Sequence, residues 1–193
     1  MIEKVIFYDA DFLSSFLLIN EVSFLKNLFS EIIVPKEVFD ELCEHGSPKL
    51  VKEGIIELKT LGIVKILNIE IPSNEYLIYK SIKNGNWHKD LKPLGKGESA
   101  ALALAIDNDG VLASNNLKDV KYYVDKYNLP CLTSSYLIAL CVEKNIISIN
   151  KANSMWIKMI DEKRDVPANT FLDYYSSIYH KDFEDFGHRL FKN

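Results

Sequence analysis

Short apolar runs of strand type alternate with helical segments along most of this chain, and this alternation constrains the fold most strongly. Strands that alternate with helices pair in parallel through right-handed crossovers, and helices cover both faces of the sheet. We therefore predict a three-layer α/β/α domain with a parallel sheet of four or five strands over residues 1–147. The strand-like runs are KVIFYD (4–9), EIIVP (31–35), GIVKILNI (62–69), GVLAS (110–114) and LPCLTS (129–134).

The C-terminal part of the chain has a helical pattern from Ser135 onward, with Pro167 as its one sharp break. We predict that residues 148–193 form a helical extension packed on the same domain. We also expect most of the aromatic side chains in this extension to pack against the flank of the sheet, rather than to form a surface for a partner. These aromatic residues are Trp156, Phe171, Tyr174, Tyr175, Tyr179, Phe183, Phe186 and Phe191.

Composition excludes several classes of protein. The 193 residues are 48% hydrophobic, which excludes a disordered chain. No apolar stretch approaches the roughly 20 residues that span a bilayer, so we expect no membrane segment. The N-terminus leads directly into the first strand-like run without the features of a secretory signal, which predicts a cytoplasmic protein.

The charged residues bear on nucleic-acid binding, and the cysteines bear on metal binding. A formal net charge of −4 is not typical of a general polyanion binder. If four acids form one metal site, however, the remaining charge is about zero, and local lysine clusters remain available for a phosphate backbone. Cys43, Cys131 and Cys141 have no metal-ligand spacing with each other or with the histidines, so we interpret them as small apolar residues in a reducing compartment.

Four acids fall at the predicted carboxyl edge of the sheet. Asp9 ends the first strand, Glu41 lies in the helix after the second strand, and Glu98 opens the Ala-rich helix ESAALALAIDN. Asp119 comes one turn after the fourth strand and also fits a capping box with Asn116 as N-cap. Each acid alone has a structural explanation, but four acids at one edge would repel strongly without a metal ion.

Four segments resemble, in this order and spacing, the acidic motifs of PIN-domain proteins, which include the VapC-like toxin ribonucleases. The resemblance covers about residues 4–145, and the later helical stretch resembles the tail of one PIN branch to about residue 175. It implies a nuclease that hydrolyses phosphodiester bonds with one or two Mg²⁺ or Mn²⁺ ions held by acids. The segments are VIFYDADFL, IIVPKEVFDEL, LGKGESAALALAID and GVLASNNLKDV.

The resemblance also implies roles for individual residues. Asp9, Glu41 and Glu98 match the first three acidic positions of the family, as catalytic residues and metal ligands. At the fourth motif the family commonly has Asp where this chain has Asn115 and Asn116, and a carboxamide brings no negative charge. We predict that Asp119 supplies this charge as the fourth acid, with Asn116 as an assisting metal ligand. The implied partners are RNA, with DNA less favoured, an antitoxin protein and a second copy of the chain.

Two alternative functions remain open at this point. The two asparagines favour a catalytically degenerate PIN-like module that binds RNA or a protein partner. The segment FYDAD also matches the opening of haloacid dehalogenase hydrolases, with Asp9 as nucleophile and Asp11 as acid, although the later acidic pair of that class is missing.

Other polar residues near the predicted edge have weaker assignments. We predict Asp11 as the cap of the first helix, with Asp11 or Ser14 as an alternative water-mediated metal contact. Stacking of Trp87 and His88 on bases is a further hypothesis. Three lysines near the acids are candidate phosphate contacts: Lys96, Lys118 and Lys121.

Overall fold

A single parallel sheet of five strands forms the centre of the computed structural model, which describes residues 4–85 and 92–191. The five strands lie within the five predicted runs, but each is shorter than its run. The prediction of an α/β fold with a parallel sheet is confirmed. The strands are β1 (Ile6–Tyr8), β2 (Ile32–Pro35), β3 (Val64–Leu67), β4 (Val111–Ala113) and β5 (Cys131–Leu132).

The strand order is β3-β2-β1-β4-β5, so the chain builds one half of the sheet and then returns to build the other. Phe7 of β1 pairs with Ile33 of β2 on one side and with Leu112 of β4 on the other. The order reverses between β1 and β4, and in open α/β sheets ligands bind outside the carboxyl ends of the strands at such a point. Residues that follow Tyr8 and Ala113 are therefore placed at the expected binding crevice.

Eleven α-helices and one 3₁₀ helix surround this sheet in the described residues. Their bounds are α1 (Ala10–Leu17), α2 (Val22–Leu28), α3 (Lys36–Cys43), α4 (Lys49–Thr60), α5 (Asn74–Lys83), α6 (Lys96–Asp107), α7 (Leu117–Lys126), α8 (Ser134–Glu143), α9 (Ile149–Asp161), α10 (Phe171–Ser177), α11 (Tyr179–Asp185) and the 3₁₀ helix Gly187–Phe191.

Helix α6 is the central helix of the domain. Its residues from Ser99 to Ala105 are all buried, and it contacts β1, β2 and β4 as well as α3 and α5. The small alanine side chains let the helix approach its neighbours closely, while the leucines fill the space between them. This packing fixes the first turn of α6 near the carboxyl ends of β1 and β4.

The C-terminal helices α9 and α10 pack on each other through aromatic side chains. Trp156 stacks on Tyr174 with ring centroids 5.2 Å apart and contacts Phe171 edge-on at 5.7 Å. Helix α9 contacts α8, and the 3₁₀ helix contacts β5. Four of the eight aromatic residues of the extension are buried, namely Trp156, Phe171, Tyr174 and Phe186, whereas Phe183 and Phe191 are 38% and 42% exposed. The division at residue 147 stays a prediction.

In the described part of the chain, no helix is both long and apolar enough to cross a membrane.

Candidate active site

An acidic cleft of about 410 Å³ lies at the point where the strand order reverses. Three of the four predicted acids line it, and they come from three different elements: Asp9, Glu41 and Glu98. Asp119 lies at its border, where its carboxylate accepts a hydrogen bond from the cleft residue Asn116. The remaining lining residues are Asp11, Gly95, Asn115 and Asp165.

Asp9 is the most buried acid of the cleft, with 5% of its surface exposed. Its Oδ1 accepts a hydrogen bond from the backbone N–H of Ala10 at 2.6 Å, and its Oδ2 accepts one from Ser114 Oγ at 3.0 Å. Burial raises the pKa of Asp9 to about 6, and repulsion from Glu41 adds a smaller increase, against the lowering effect of the two hydrogen bonds. Asp9 is thus held in place by two hydrogen bonds in a site where burial penalises its charged form.

The predicted cap of helix α1 was wrong: the cap is Asp9 and not Asp11. Asp9 has an extended backbone and caps the helix through Ala10, whereas Asp11 lies inside the first helical turn. The carboxylate of Asp11 instead forms an ion pair with Arg164, from the loop after α9.

Glu98 lies in the first turn of α6, and its Oε1 accepts a hydrogen bond from Asn116 Nδ2 at 3.0 Å. Burial raises the pKa of Glu98 to about 7, and repulsion from Asp9 and Asp119 adds to this, while hydrogen bonds from Asn116 and from the backbone of Gly95 oppose it. Glu98 is therefore close to half-protonated at neutral pH when no cation is present.

Glu41 reaches the cleft because α3 and α6 approach closely at Gly97. A Cβ atom on Gly97 would lie 2.7 Å from Glu41 Oε2 and 3.1 Å from Val38 Cγ2, so any larger residue would displace the carboxylate. Burial raises the pKa of Glu41, and repulsion from Glu44 contributes less. The sequence analysis predicted Glu41 as a site residue but gave Gly97 no role. A glycine directly before Glu98 is a sign in the sequence that another helix approaches closely.

Asn116 occupies the predicted N-cap position of α7, but its side chain makes no capping hydrogen bond. Its Nδ2 donates instead to Glu98 Oε1 at 3.0 Å and to Asp119 Oδ2 at 2.8 Å. One amide group therefore bridges two carboxylates that would otherwise repel each other. The predicted capping box is absent because the two side chains bond to each other rather than to the backbone.

Asn115 connects three elements of the fold. Its Oδ1 accepts a hydrogen bond from the backbone N–H of Ser134 at the start of α8, at 2.8 Å. Its Nδ2 donates to Ser15 Oγ at 3.0 Å and, at 3.4 Å, to the backbone carbonyl of Asp11, both in α1. All of these contacts use both the donor and the acceptor of a carboxamide, so Asn115 has a structural role that an aspartate would perform less well.

The three lysines predicted as phosphate contacts do not line the cleft. Lys121 forms an ion pair with Asp125 one turn further along α7, at 2.8 Å, and Lys96 and Lys118 are exposed. Ser14 of α1 is half-buried. Trp87 and His88 lie outside the described residues. The lining of the cleft is thus uncompensated in charge, apart from the contact of Asp11 with Arg164.

The chemistry of the donor groups fits a hard divalent cation. Within residues 4–85 and 92–191, no three His, Cys, Asp or Glu side chains are arranged to hold a metal ion directly. Mg²⁺, however, usually keeps several water ligands and contacts only one or two carboxylates directly. The acids of the cleft therefore fit a water-rich Mg²⁺ or Mn²⁺ site, in which some of them contact the ion through water.

In a comparison with protein families, the model described as "DUF3368: PIN domain" matches residues 5–174 of this chain. PIN domains are generally nucleases that typically use divalent metal ions. The match runs through β1 to β5 and beyond α9 into α10. Comparisons with curated proteins and with solved structures give no significant match.

Proposed function

Because this chain belongs to the DUF3368 family of PIN domains, we propose that it is a metal-dependent endonuclease whose substrate is RNA. The observation that carries the proposal is the cleft itself. Asp9, Glu41 and Glu98 come from separate elements and meet at the carboxyl edge of the sheet, where the pKa of each is raised. Perturbed carboxylates that converge in a crevice are typical of a catalytic or metal-binding site.

Four residues would hold the ion or ions: Asp9, Glu98 and Glu41 through carboxylate oxygens, and Asn116 through its amide oxygen. A bound Mg²⁺ or Mn²⁺ would activate a water molecule and stabilise negative charge on the scissile phosphate. Asp119 would contribute at longer range, since its carboxylate shares the amide of Asn116 with Glu98.

The side chains of the cleft have distinct parts in this proposal. Asp9 is fixed by Ala10 and Ser114, so it provides an oxygen at a constant position. Glu98 holds a proton with a pKa of about 7 and gives it up when a cation enters, which makes cation binding pH-dependent. Glu41 lines the cleft and is exposed to solvent, so it is suited to orient the attacking water.

A toxin role for this nuclease, with an antitoxin as inhibitor, is a finer proposal for the same cleft. An uncompensated acidic cleft attracts a basic side chain of a partner as readily as a metal ion. A helix or a basic side chain of an antitoxin would fill the cleft and exclude the metal. The same proposal includes a homodimer of this chain and a cytoplasmic location.

The alternative is a degenerate PIN-like module that binds RNA or protein without cleaving it. Asn115 and Asn116 favour this alternative, because neither brings the charge of the family's fourth motif. Metal binding separates the two functions. A working site gains thermal stability from Mn²⁺, whereas a degenerate site binds Mn²⁺ weakly and gains none.

The test is cleavage of an end-labelled mixed RNA pool by the full chain in Mn²⁺, beside EDTA and beside an Asp9→Asn variant. The matched control is Asp161→Asn, which changes an exposed acid at the end of α9 outside the cleft. We expect cleavage by the wild type and the control only, and only with metal. Cleavage that survives Asp9→Asn would refute the proposed site, and absence of cleavage by folded wild type would favour the degenerate module.

A further inference from the structure

The loop between α9 and α10, residues 162–170, brings a further acid to the acidic cleft. Asp165 of this α9–α10 loop lines the same cleft as Asp9, Glu41 and Glu98. It lies in the C-terminal extension, far along the chain from the four acidic motifs. It was not among the acids predicted from the sequence.

Three contacts position the α9–α10 loop. The guanidinium of Arg164 forms an ion pair with Asp11 of α1, and only 21% of the Arg164 side chain is exposed. At the other end of the loop, Trp156 Nε1 donates a hydrogen bond to the backbone carbonyl of Ala168 at 3.0 Å. The backbone N–H of Arg164 also bonds to the carbonyl of Met159 at 2.8 Å. Asp165 is therefore positioned by its neighbours on both sides.

The carboxylate of Asp165 is free for a ligand. Among the described residues it makes no hydrogen bond and no ion pair, and its interaction with the chain is the electrostatic attraction of the adjacent Arg164. In contrast, Asp11 is paired with Arg164, and Asp119 is bonded to Asn116. Asp165 is thus an acid on the wall of the acidic cleft without a hydrogen bond or ion pair among the described residues.

The end of β4 cannot provide the corresponding charge. Both polar groups of Asn115 are used to connect α1 and α8, and Asn116 bridges Glu98 and Asp119. Neither residue carries a negative charge, and Asp119, the acid predicted to supply it, is not among the residues that line the cleft and is bonded to the Asn116 amide. The α9–α10 loop approaches this side of the cleft, since a neighbouring pocket is lined by Asn115 together with Asp165 and Pro167.

We propose that Asp165 supplies the negative charge that Asn115 and Asn116 lack, and that it binds the metal ion of the proposed nuclease site through a metal-bound water. The inference rests on the proposed function. Mg²⁺ and Mn²⁺ retain several water ligands in such sites, and a carboxylate that accepts hydrogen bonds from these waters adds charge attraction without direct contact. The C-terminal extension is then part of the metal site as well as of the fold.

The test is Mn²⁺ binding to the full chain, measured by calorimetric titration and by electron paramagnetic resonance of free Mn²⁺ at about pH 8. The variant Asp165→Asn keeps the shape of the side chain and removes its charge, and Asp161→Asn is the matched control on the same extension. We expect Asp165→Asn to weaken Mn²⁺ binding by about threefold to tenfold. We expect the control to bind as the wild type, and the metal-free melting temperature of both variants to stay unchanged.

A second variant separates charge from shape. Asn116→Asp in the Asp165→Asn background returns one negative charge to the β4 side, and we expect it to recover at least part of the lost Mn²⁺ affinity. A larger gain from Asn116→Asp in this background than in the wild type separates lost charge from a displaced loop. Equal Mn²⁺ affinity of Asp165→Asn and wild type would overturn the inference, and so would a loss that Asn116→Asp leaves unchanged.

The outcomes also separate this inference from the proposed nuclease. Mn²⁺ binding that depends on Asp165, in a wild-type protein that cleaves no nucleic acid, would support the inference and refute the nuclease. Metal-dependent cleavage with full Mn²⁺ affinity in Asp165→Asn would do the reverse. A wild-type protein that binds no Mn²⁺ at millimolar concentration would overturn both.

Discussion

The substitution Asp9→Asn is predicted to stabilise the metal-free protein while it abolishes activity. Asp9 is 5% exposed, and burial raises its pKa from 3.8 to about 6. A raised pKa means that the folded state holds this proton more tightly than the unfolded state does. Stability from the neutral carboxyl is therefore present below about pH 4 and is lost as pH rises toward 6.

The magnitude follows from the difference in pKa between the two states. At about 1.4 kcal/mol per pKa unit, the ionisation of Asp9 costs the metal-free fold about 3 kcal/mol above pH 6. An asparagine avoids this cost. It still accepts the hydrogen bond from Ala10, and Ser114 can reverse its hydroxyl to accept from the new amide, with a loss of about 1 kcal/mol. The net gain is about 2 kcal/mol at pH 8.

The neighbouring acid adds to this gain, because repulsion from Asp9 contributes to the raised pKa of Glu98. The assay is urea unfolding of both proteins in EDTA at pH 8 and at pH 4.5. We expect Asp9→Asn to be more stable at pH 8 and equal or less stable at pH 4.5. With saturating Mn²⁺ at pH 8, the order should reverse, since only the wild type gains from the ion. An Asp9→Asn protein that is less stable than wild type in EDTA at pH 8 would refute this electrostatic reasoning.

Three further substitutions test other contacts of the cleft. Asn115→Asp removes the donor to α1 and places a carboxylate against a backbone carbonyl, so we expect a loss of about 1–3 kcal/mol in urea unfolding at pH 7. Gly97→Ala puts a methyl group 2.7 Å from the present position of Glu41 Oε2, so we expect RNA cleavage to fall by about tenfold or more, with little change in melting temperature. Arg164→Gln breaks the partly exposed ion pair with Asp11, so the free energy of unfolding should change by no more than about 1 kcal/mol. We expect Mn²⁺ affinity to fall, because the α9–α10 loop loses this contact. Unchanged stability of Asn115→Asp, unchanged cleavage by Gly97→Ala or unchanged Mn²⁺ affinity of Arg164→Gln would contradict the corresponding expectation.

The sheet was predictable because its signal is local. A buried parallel strand needs only a short apolar run between helical segments, and all five runs form strands. The convergence of Asp9, Glu41 and Glu98 followed from the same signal, since the carboxyl ends of parallel strands share one edge. The choice between Asp9 and Asp11 as helix cap could not be made from the sequence. It depended on which residue keeps an extended backbone, and both are acids in a plausible cap position.

The remaining features of the cleft depend on contacts between distant parts of the chain. Asp165 reaches the cleft through an ion pair between Arg164 and Asp11, which are separated by 153 positions, and no periodicity in the sequence predicts this pairing. The connecting role of Asn115 depends in the same way on where α1 and α8 meet. Fold class is thus set by short-range patterns, whereas the charge balance of the cleft is set by long-range packing.

The two asparagines after β4 have different consequences for the nuclease proposal. Asn115 connects α1 and α8 through its hydrogen bonds, so the structure gives a reason for this residue besides lost activity. Asn116 is different, because its amide bridges Glu98 and Asp119 and so reduces the repulsion between two acids of the metal-free protein. A cation bound in the cleft would offset the same repulsion, and the Asn116 side chain could then offer its amide oxygen as a ligand. An asparagine at this position is therefore compatible with a metal site, provided that another acid restores the missing charge.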